Sequence, residues 1–374
     1  MSASDNERLA ASVVMVGFEG TEAGADIREM ARRGIAGAIL MRRNVVTPAQ
    51  TFALNAELHA CAPHPFLISV DQEGGRVARL HDGFTRLPAL RRIGQTGDPE
   101  AARQMGRLLG RECRAVGIDL DLAPVVDVDS NPRNPVIGDR SFSPDPLECA
   151  RMGAAMIEGL QAESVAACAK HLPGHGDTRQ DSHLELPRVE HDLERLRSIE
   201  LVPFRRAVEA GVATIMTAHV VVEALDPRLP VTVSRKALRS LREEIGFSGV
   251  LISDDLEMAA IADGFSTSEA AWRAVDAGCD LLLVCHRADR QMEAIAGLCR
   301  WAEESSENLE RLREASTRVR ELARRFVPER AQRFEPGALR QPDALAFAQR
   351  FSLESSPDPT EPEARRPGPD SPQT

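Results

Sequence analysis

Lysine is almost missing from this chain of 374 residues: of 46 Lys and Arg residues, only Lys170 and Lys236 are lysines. In a sequence that writes Arg nearly everywhere else, a Lys marks a place that needs a compact ammonium rather than a planar fork. Long apolar runs are missing too. None reaches the roughly 18 residues needed to cross a bilayer, which excludes a spanning helix. The opening MSASDNERLAASVVMVGFEG has no basic stretch leading into an apolar one, so no secretory signal is expected and the expected location is cytoplasmic. The seven cysteines (Cys61, Cys113, Cys149, Cys168, Cys279, Cys285, Cys299) are odd in number and lack CxxC spacing. Most stand in apolar surroundings such as VAACAKH, which excludes a disulfide framework or zinc site and points to buried thiols. Net positive charge is absent as well. A formal charge of −11 argues against nucleic acid as a partner. The arginines interleave with acids, as in RRAVEAG and LREEIG, which is the pattern of solvated helix faces.

What is present is an alternation. Short β-branched or Leu-rich runs fall at 12–18, 37–41, 66–71, 118–127, 165–171, 213–219, 249–255 and 280–286. Amphipathic segments separate them, among them 100–116, 146–163, 192–210, 235–245 and 267–277. Gly34, Gly117, Gly211, Gly246 and Gly278 close helical stretches just before the next run, as C-terminal helix caps do. Eight near-continuous apolar strands alternating with helices predict an α/β fold, a TIM-type (β/α)8 barrel, rather than an open sheet. No GxGxxG follows the first run, which counts against a dinucleotide fold. The barrel is expected to occupy 1–350 as a single domain, including a charged helix over 301–326. Residues 351–374, rich in Pro, Ser and acids, read as a disordered tail.

Asp71, Asp127, Lys170, His171, His219, Asp254, Asp255 and His286 all stand at or beside the C-terminal ends of these strands, the rim where barrel enzymes work. In SDDLEM (253–258) a strand drives two carboxylates to that rim. With a helix beginning near Leu256, Asp255 or Ser253 could serve as its N-cap, leaving Asp254 as an ionised nucleophile suited to glycosyl transfer. The stretch KHLPGHGDTRQDSH (170–183) gathers one Lys, three His and two Asp on a segment that Pro173, Gly174 and Gly176 keep from being a helix. Asp181, two positions before His183, can orient the imidazole and raise its pKa, making it a proton donor near neutral pH. His171, His175, Asp177 and His183 could instead be metal ligands, although the Pro–Gly interior denies them the helix on which such pairs converge. His175 and Asp177 are expected to fix the loop by hydrogen bonds. Asp71 can accept two bonds from a sugar diol, Lys170 and His171 can meet hydroxyls or an amide carbonyl, and Arg76, Arg79 and Arg140 offer forks for acetyl or carboxylate oxygens.

The strings DQEGGRVARL, PVIGDRSFS, KHLPGHGDTRQDSHLELP, MTAHVVVEALDPRLPVTVS and GFSGVLISDDLEM resemble glycoside hydrolase family 3, specifically its single-domain bacterial β-N-acetylglucosaminidases of peptidoglycan recycling. The resemblance runs from about Val13 to Cys285. It implies a retaining mechanism without metal or other cofactor, with Asp254 as nucleophile, His183 as proton donor and acceptor, and Asp181 as its partner. It also implies sugar contacts at Asp71, Arg79, Arg140, Lys170 and His171. The partner it implies is a small GlcNAc-containing carbohydrate, handled by a monomer. Two departures stand out. Leu172 replaces a more usual Phe, and His286 replaces an Asn. Rival readings are a phosphorylase, a β-glucosidase, a metallohydrolase and a catalytically silent barrel that binds muropeptides.

Overall fold

The computed structural model describes residues 5–178, 186–328 and 333–351. All eight apolar runs are strands of one closed parallel barrel. They are β1 (Val14–Val16), β2 (Gly37–Leu40), β3 (Leu67–Val70), β4 (Leu120–Asp121), β5 (Ala166–Leu172), β6 (Thr214–Thr217), β7 (Val250–Asp255) and β8 (Leu281–Val284). Neighbours in sequence are neighbours in space, and β8 pairs back onto β1 through Val14 and Leu282, which closes the ring. No barrel strand has an edge to protect, and both faces are covered, so the runs are apolar throughout rather than alternating. Met15, Ile39, Leu67, Leu120, Ile252 and Leu283 fill the barrel interior. At Gly37, where β2 enters the barrel, a Cβ would lie 2.1 Å from the Leu67 carbonyl oxygen, so only glycine fits.

Helices pack on the outside, and their stops follow the sequence signals. Gly34 and Gly246 end helices Ala25–Arg33 and Arg235–Ile245 at φ of 97° and 68°. Two boundaries differ from expectation. The 301–326 segment divides at Ser305, whose hydroxyl accepts from the Asn308 amide and starts a new helix, Ser306–Phe326, after Ala288–Glu304. The 192–210 segment breaks into a turn at Leu193–Arg195, a wide turn at Leu196–Glu200 and helix Val202–Glu209. Pro203 has no amide hydrogen to continue the ladder, and it restarts the helix there. Of the expected tail, 352–374 lies outside the described residues, while the Phe351 ring packs 4.8 Å from Phe347.

Helix Ser306–Phe326 closes the N-terminal end of the barrel, placing Val319, Leu322, Ala323 and Phe326 against the interior cluster. It is clamped electrostatically. Asp280, fully buried just before β8, meets Arg242, Arg311 and Arg318 at 3.0, 3.0 and 3.1 Å and accepts from the Leu251 amide. Three elements therefore hang on one carboxylate. Replacing Asp280 by Ala removes the shared carboxylate from three guanidinium groups, and breaking such a buried pair costs about 3–5 kcal/mol. Urea unfolding of Asp280→Ala is expected to show that loss, whereas a change under about 1 kcal/mol would assign the cluster the small weight of a surface ion pair.

Candidate active site

The strand ends converge on a cavity of about 320 Å³ at the C-terminal rim. Its most heavily charged wall begins with Lys170, near the end of β5. The Lys170 Nζ lies 2.6 Å from Asp71 Oδ1 and 2.7 Å from Glu73 Oε1, with the side chain 3% exposed. Arg140, in the short turn Gly138–Arg140, forks onto Glu73 with Nε and Nη2 both at 2.8 Å. Burial alone would push the Glu73 carboxyl up, but Arg140 and Lys170 outweigh it and hold it well below the carboxylate range. Burial likewise works against the Lys170 charge, and Asp71 and Glu73 more than offset it. The ammonium is compact enough to sit between two carboxylates at this spacing, which is the use anticipated for a rare lysine.

A second buried cluster lies beside it. Asp127 Oδ2 meets His171 Nδ1 at 2.7 Å, and its other oxygen accepts from the His175 amide at 2.7 Å. Burial raises the Asp127 carboxyl, while His171 and His175 pull it lower overall. An ionised Asp127 keeps a proton on His171 Nδ1 and so selects the ring's tautomer. The His175 ring is brought down to about 4, by burial first and the neighbouring His171 second. It is therefore neutral near pH 7, with its Nδ1 2.7 Å from the Thr178 hydroxyl. Asp177 takes an ion pair from Arg195 at 3.1 Å. Both residues thus brace the loop by the bonds expected of them. Among the described residues no group of three or more His, Cys, Asp or Glu side chains is placed to hold a metal ion.

Opposite stands the end of β7. Asp254 lines the cavity, and its Oδ1 accepts from the Asp255 amide at 2.9 Å. Neither Asp255 nor Ser253, the two candidates for a helix N-cap, caps a helix. The following helix starts later, at Ala259–Ala262, and no side chain caps it. The Asp255 carboxylate instead accepts from the amides of Glu257 and Cys285 at 3.2 Å each, tying the β7 turn to β8. The Ser253 hydroxyl accepts from the Leu283 amide at 3.1 Å. His286 reaches Asp255 at 3.3 Å, and that bond raises the imidazole pKa against the opposing effect of burial.

Asp71, Arg79, Arg140, Lys170, His171 and Asp254 thus share one cavity. Asp181 and His183 lie outside the described residues. Arg76 turns to the Val136 and Ile137 carbonyls and to Asp139, at 2.9, 3.0 and 2.8 Å. Leu172 is fully buried in the core. Sequence reasoning passed over Glu73, which reads as an ordinary turn residue before Gly74 and Gly75. The available signal was its spacing: Asp71 and Glu73 are two apart in extended chain and so face the same way. Asp127 was placed on the rim without a partner, because its bond to His171 spans 44 residues.

Eight parallel strands with acids and cations gathered at their C-terminal rim place the molecule among the barrel enzymes. The family model described as "Glycosyl hydrolase family 3 N terminal domain" matches residues 10–322, and the chain belongs to that family. It is accordingly a glycosidase. A relative from Thiobacillus denitrificans (strain ATCC 25259 / T1), named Beta-hexosaminidase, is 42% identical over 293 residues, covering 76% of this chain and 81% of its own. A solved glycoside hydrolase family 3 β-N-acetylglucosaminidase from Paenibacillus sp. str. FPU-7 is 39% identical with a TM-score of 0.88, covering 93% of this chain and 68% of that one. The structure of NagZ from Neisseria gonorrhoeae in complex with N-trifluoroacetyl-D-glucosamine is 35% identical with a TM-score of 0.77, covering 91% of this chain and 97% of that one.

Glu73→Gln leaves Lys170 and Arg140 buried with one carboxylate fewer, and breaking such a buried pair costs about 3–5 kcal/mol. A carboxyl depressed in the folded state contributes stability that is complete above its unfolded value, near 4.3, and is lost as the pH falls through the folded one. Urea unfolding should therefore show a wide gap between wild type and Glu73→Gln at pH 7 that narrows on acidification below about pH 4. A gap that stays constant down to pH 3 would contradict the charged network.

Proposed function

We propose that this chain is a retaining exo-β-N-acetylglucosaminidase that removes terminal β-linked GlcNAc from peptidoglycan-derived muropeptides in the cytoplasm. Asp254 attacks the anomeric carbon while His183, oriented by Asp181, protonates the leaving oxygen. His183 then takes a proton from water, which opens the glycosyl–Asp254 ester and releases GlcNAc with its configuration retained. Asp71, Arg79, Arg140, Lys170 and His171 hold the sugar.

The observation that carries this reading is the shared cavity. Asp254, near the end of β7, lies on one side, and the Lys170–Asp71–Glu73–Arg140 network closes the other. A network of ion pairs that is largely buried is rigid, so its donors and acceptors need little reorganisation to meet a sugar. A cavity of about 320 Å³ is at the small end of ligand pockets, suited to one sugar ring rather than a chain. That size supports action at a terminal residue. The names carried by the relatives and the glucosamine analogue bound in the gonococcal structure support GlcNAc over glucose.

A chromogenic GlcNAc β-glycoside should be cleaved much faster than its glucose counterpart, with the same rate and the same free GlcNAc product with or without phosphate. Asp254→Ala should lower kcat by at least about 10³-fold while the protein stays folded. Sugar-1-phosphate as the main product would turn the reading to a phosphorylase, and an active Asp254→Ala variant would remove Asp254 as nucleophile.

A further inference from the structure

A well-formed groove lies far from the active site. It holds about 790 Å³ at the N-terminal ends of β2 and β3, opposite the end of the barrel that carries Asp254. Arg8, Arg32, Arg33, Arg320, Arg324 and His64 line it, and no Asp or Glu does. In a chain with 57 acids against 46 bases, an acid-free groove with five arginines runs against the overall balance. Arg32 and Arg33 pair with Glu29 at 3.2 and 3.3 Å, and Arg33 also pairs with Glu7 at 3.1 Å. Neither glutamate lines the groove. The guanidinium groups of Arg8, Arg320 and Arg324 make no hydrogen bond or ion pair with the described residues. The His64 Nδ1 stands 3.0 Å from the Pro65 carbonyl oxygen, whereas its Nε2 is enclosed and has no partner.

Helix dipoles account for part of this. Arg8, Arg32, Arg33 and Arg324 fall in the last turns of their helices, where cations are favoured. That effect does not bring arginines from three separate helices to one groove. It also leaves out Arg320, which lies more than a turn from the end of Ser306–Phe326. The floor between the cations is apolar, formed by Ala36, Val319 and Ala323, all nearly buried. Three guanidinium groups without a partner among the described residues, set around an apolar floor, match a molecule with an anionic head and an apolar body.

We infer that this groove is a second binding site, separate from the glycosidase centre, for a small amphipathic anion whose phosphate or carboxylate head is held by Arg8, Arg320 and Arg324. The guanidinium forks take the head, the enclosed His64 Nε2 offers one further hydrogen bond, and the apolar part lies over Val319 and Ala323. The inference does not depend on the identity of the sugar substrate.

Calorimetric titration at low ionic strength tests it with three probes of one ring size: phenyl phosphate, benzoate and neutral benzyl alcohol. Phenyl phosphate or benzoate is expected to bind saturably, with the stronger of the two identifying the preferred head, and benzyl alcohol is expected not to bind. The R8Q/R320Q/R324Q variant should bind at least about tenfold more weakly, since each charge-assisted bond is worth more than a tenfold change. Its activity on a GlcNAc glycoside without probe should be unchanged. The single variants carry the same test if the triple variant does not fold, each weakening binding in part. Absence of saturable anion binding overturns the inference. So does affinity that the arginine variants leave unaltered, or equal binding of benzyl alcohol.

Discussion

The contact on which the site depends is the one between Lys170 and two carboxylates. Asp71 follows β3, Glu73 stands two residues later, Arg140 comes from the turn after β4, and Lys170 belongs to β5. One ammonium and one guanidinium thus join three successive strand ends, and Glu73 is the shared partner. Desolvating four charges is unfavourable unless each finds its partner, so the rim has one arrangement in which the account balances. That requirement makes this wall of the cavity rigid. It also explains why a chain that avoids lysine keeps one here, because a forked guanidinium could not sit between Asp71 and Glu73 at 2.6 and 2.7 Å in the same space.

The same logic recurs with other chemistry. Asp127 organises His171 and His175, and Asp255 ties the turn after β7 to β8, each by accepting backbone amides as well as ring nitrogens. These carboxylates are supports. Asp255, the neighbour of Asp254, has both oxygens engaged in this way. The pair of adjacent acids in SDD divides into one that holds the turn and one that lines the cavity. His286, where a resemblance to relatives suggested Asn, takes part in that support through Asp255.

The barrel was legible because parallel strands buried on both faces leave near-continuous apolar runs, and because Gly34, Gly117, Gly211, Gly246 and Gly278 mark where helices stop, each at positive φ. Helix interiors were less so. The break at Ser305 arises from one hydroxyl bonding to the Asn308 amide, a local competition that amphipathic periodicity does not reveal. Asp71, Lys170, His171 and Asp254 could be picked out as polar residues at the ends of apolar strands. Glu73 and Asp127 could not be given partners, since theirs lie 67 and 44 residues away and depend on barrel closure. Asp280 was hidden for the same reason. Its three arginines come from two different helices, and only the folded chain brings them together.

The central claim is that Asp254 forms a covalent glycosyl ester, and trapping that ester tests it most directly. With His183 replaced by Ala, departure of a good leaving group needs no proton while release by water is slowed, so the intermediate should accumulate. Rapid quenching of His183→Ala with a GlcNAc β-glycoside of that kind, followed by proteolysis and peptide mass spectrometry, should find one GlcNAc on the Asp254 side chain. GlcNAc attached to another carboxylate, or turnover with no adduct on Asp254 at any time point, would contradict the account.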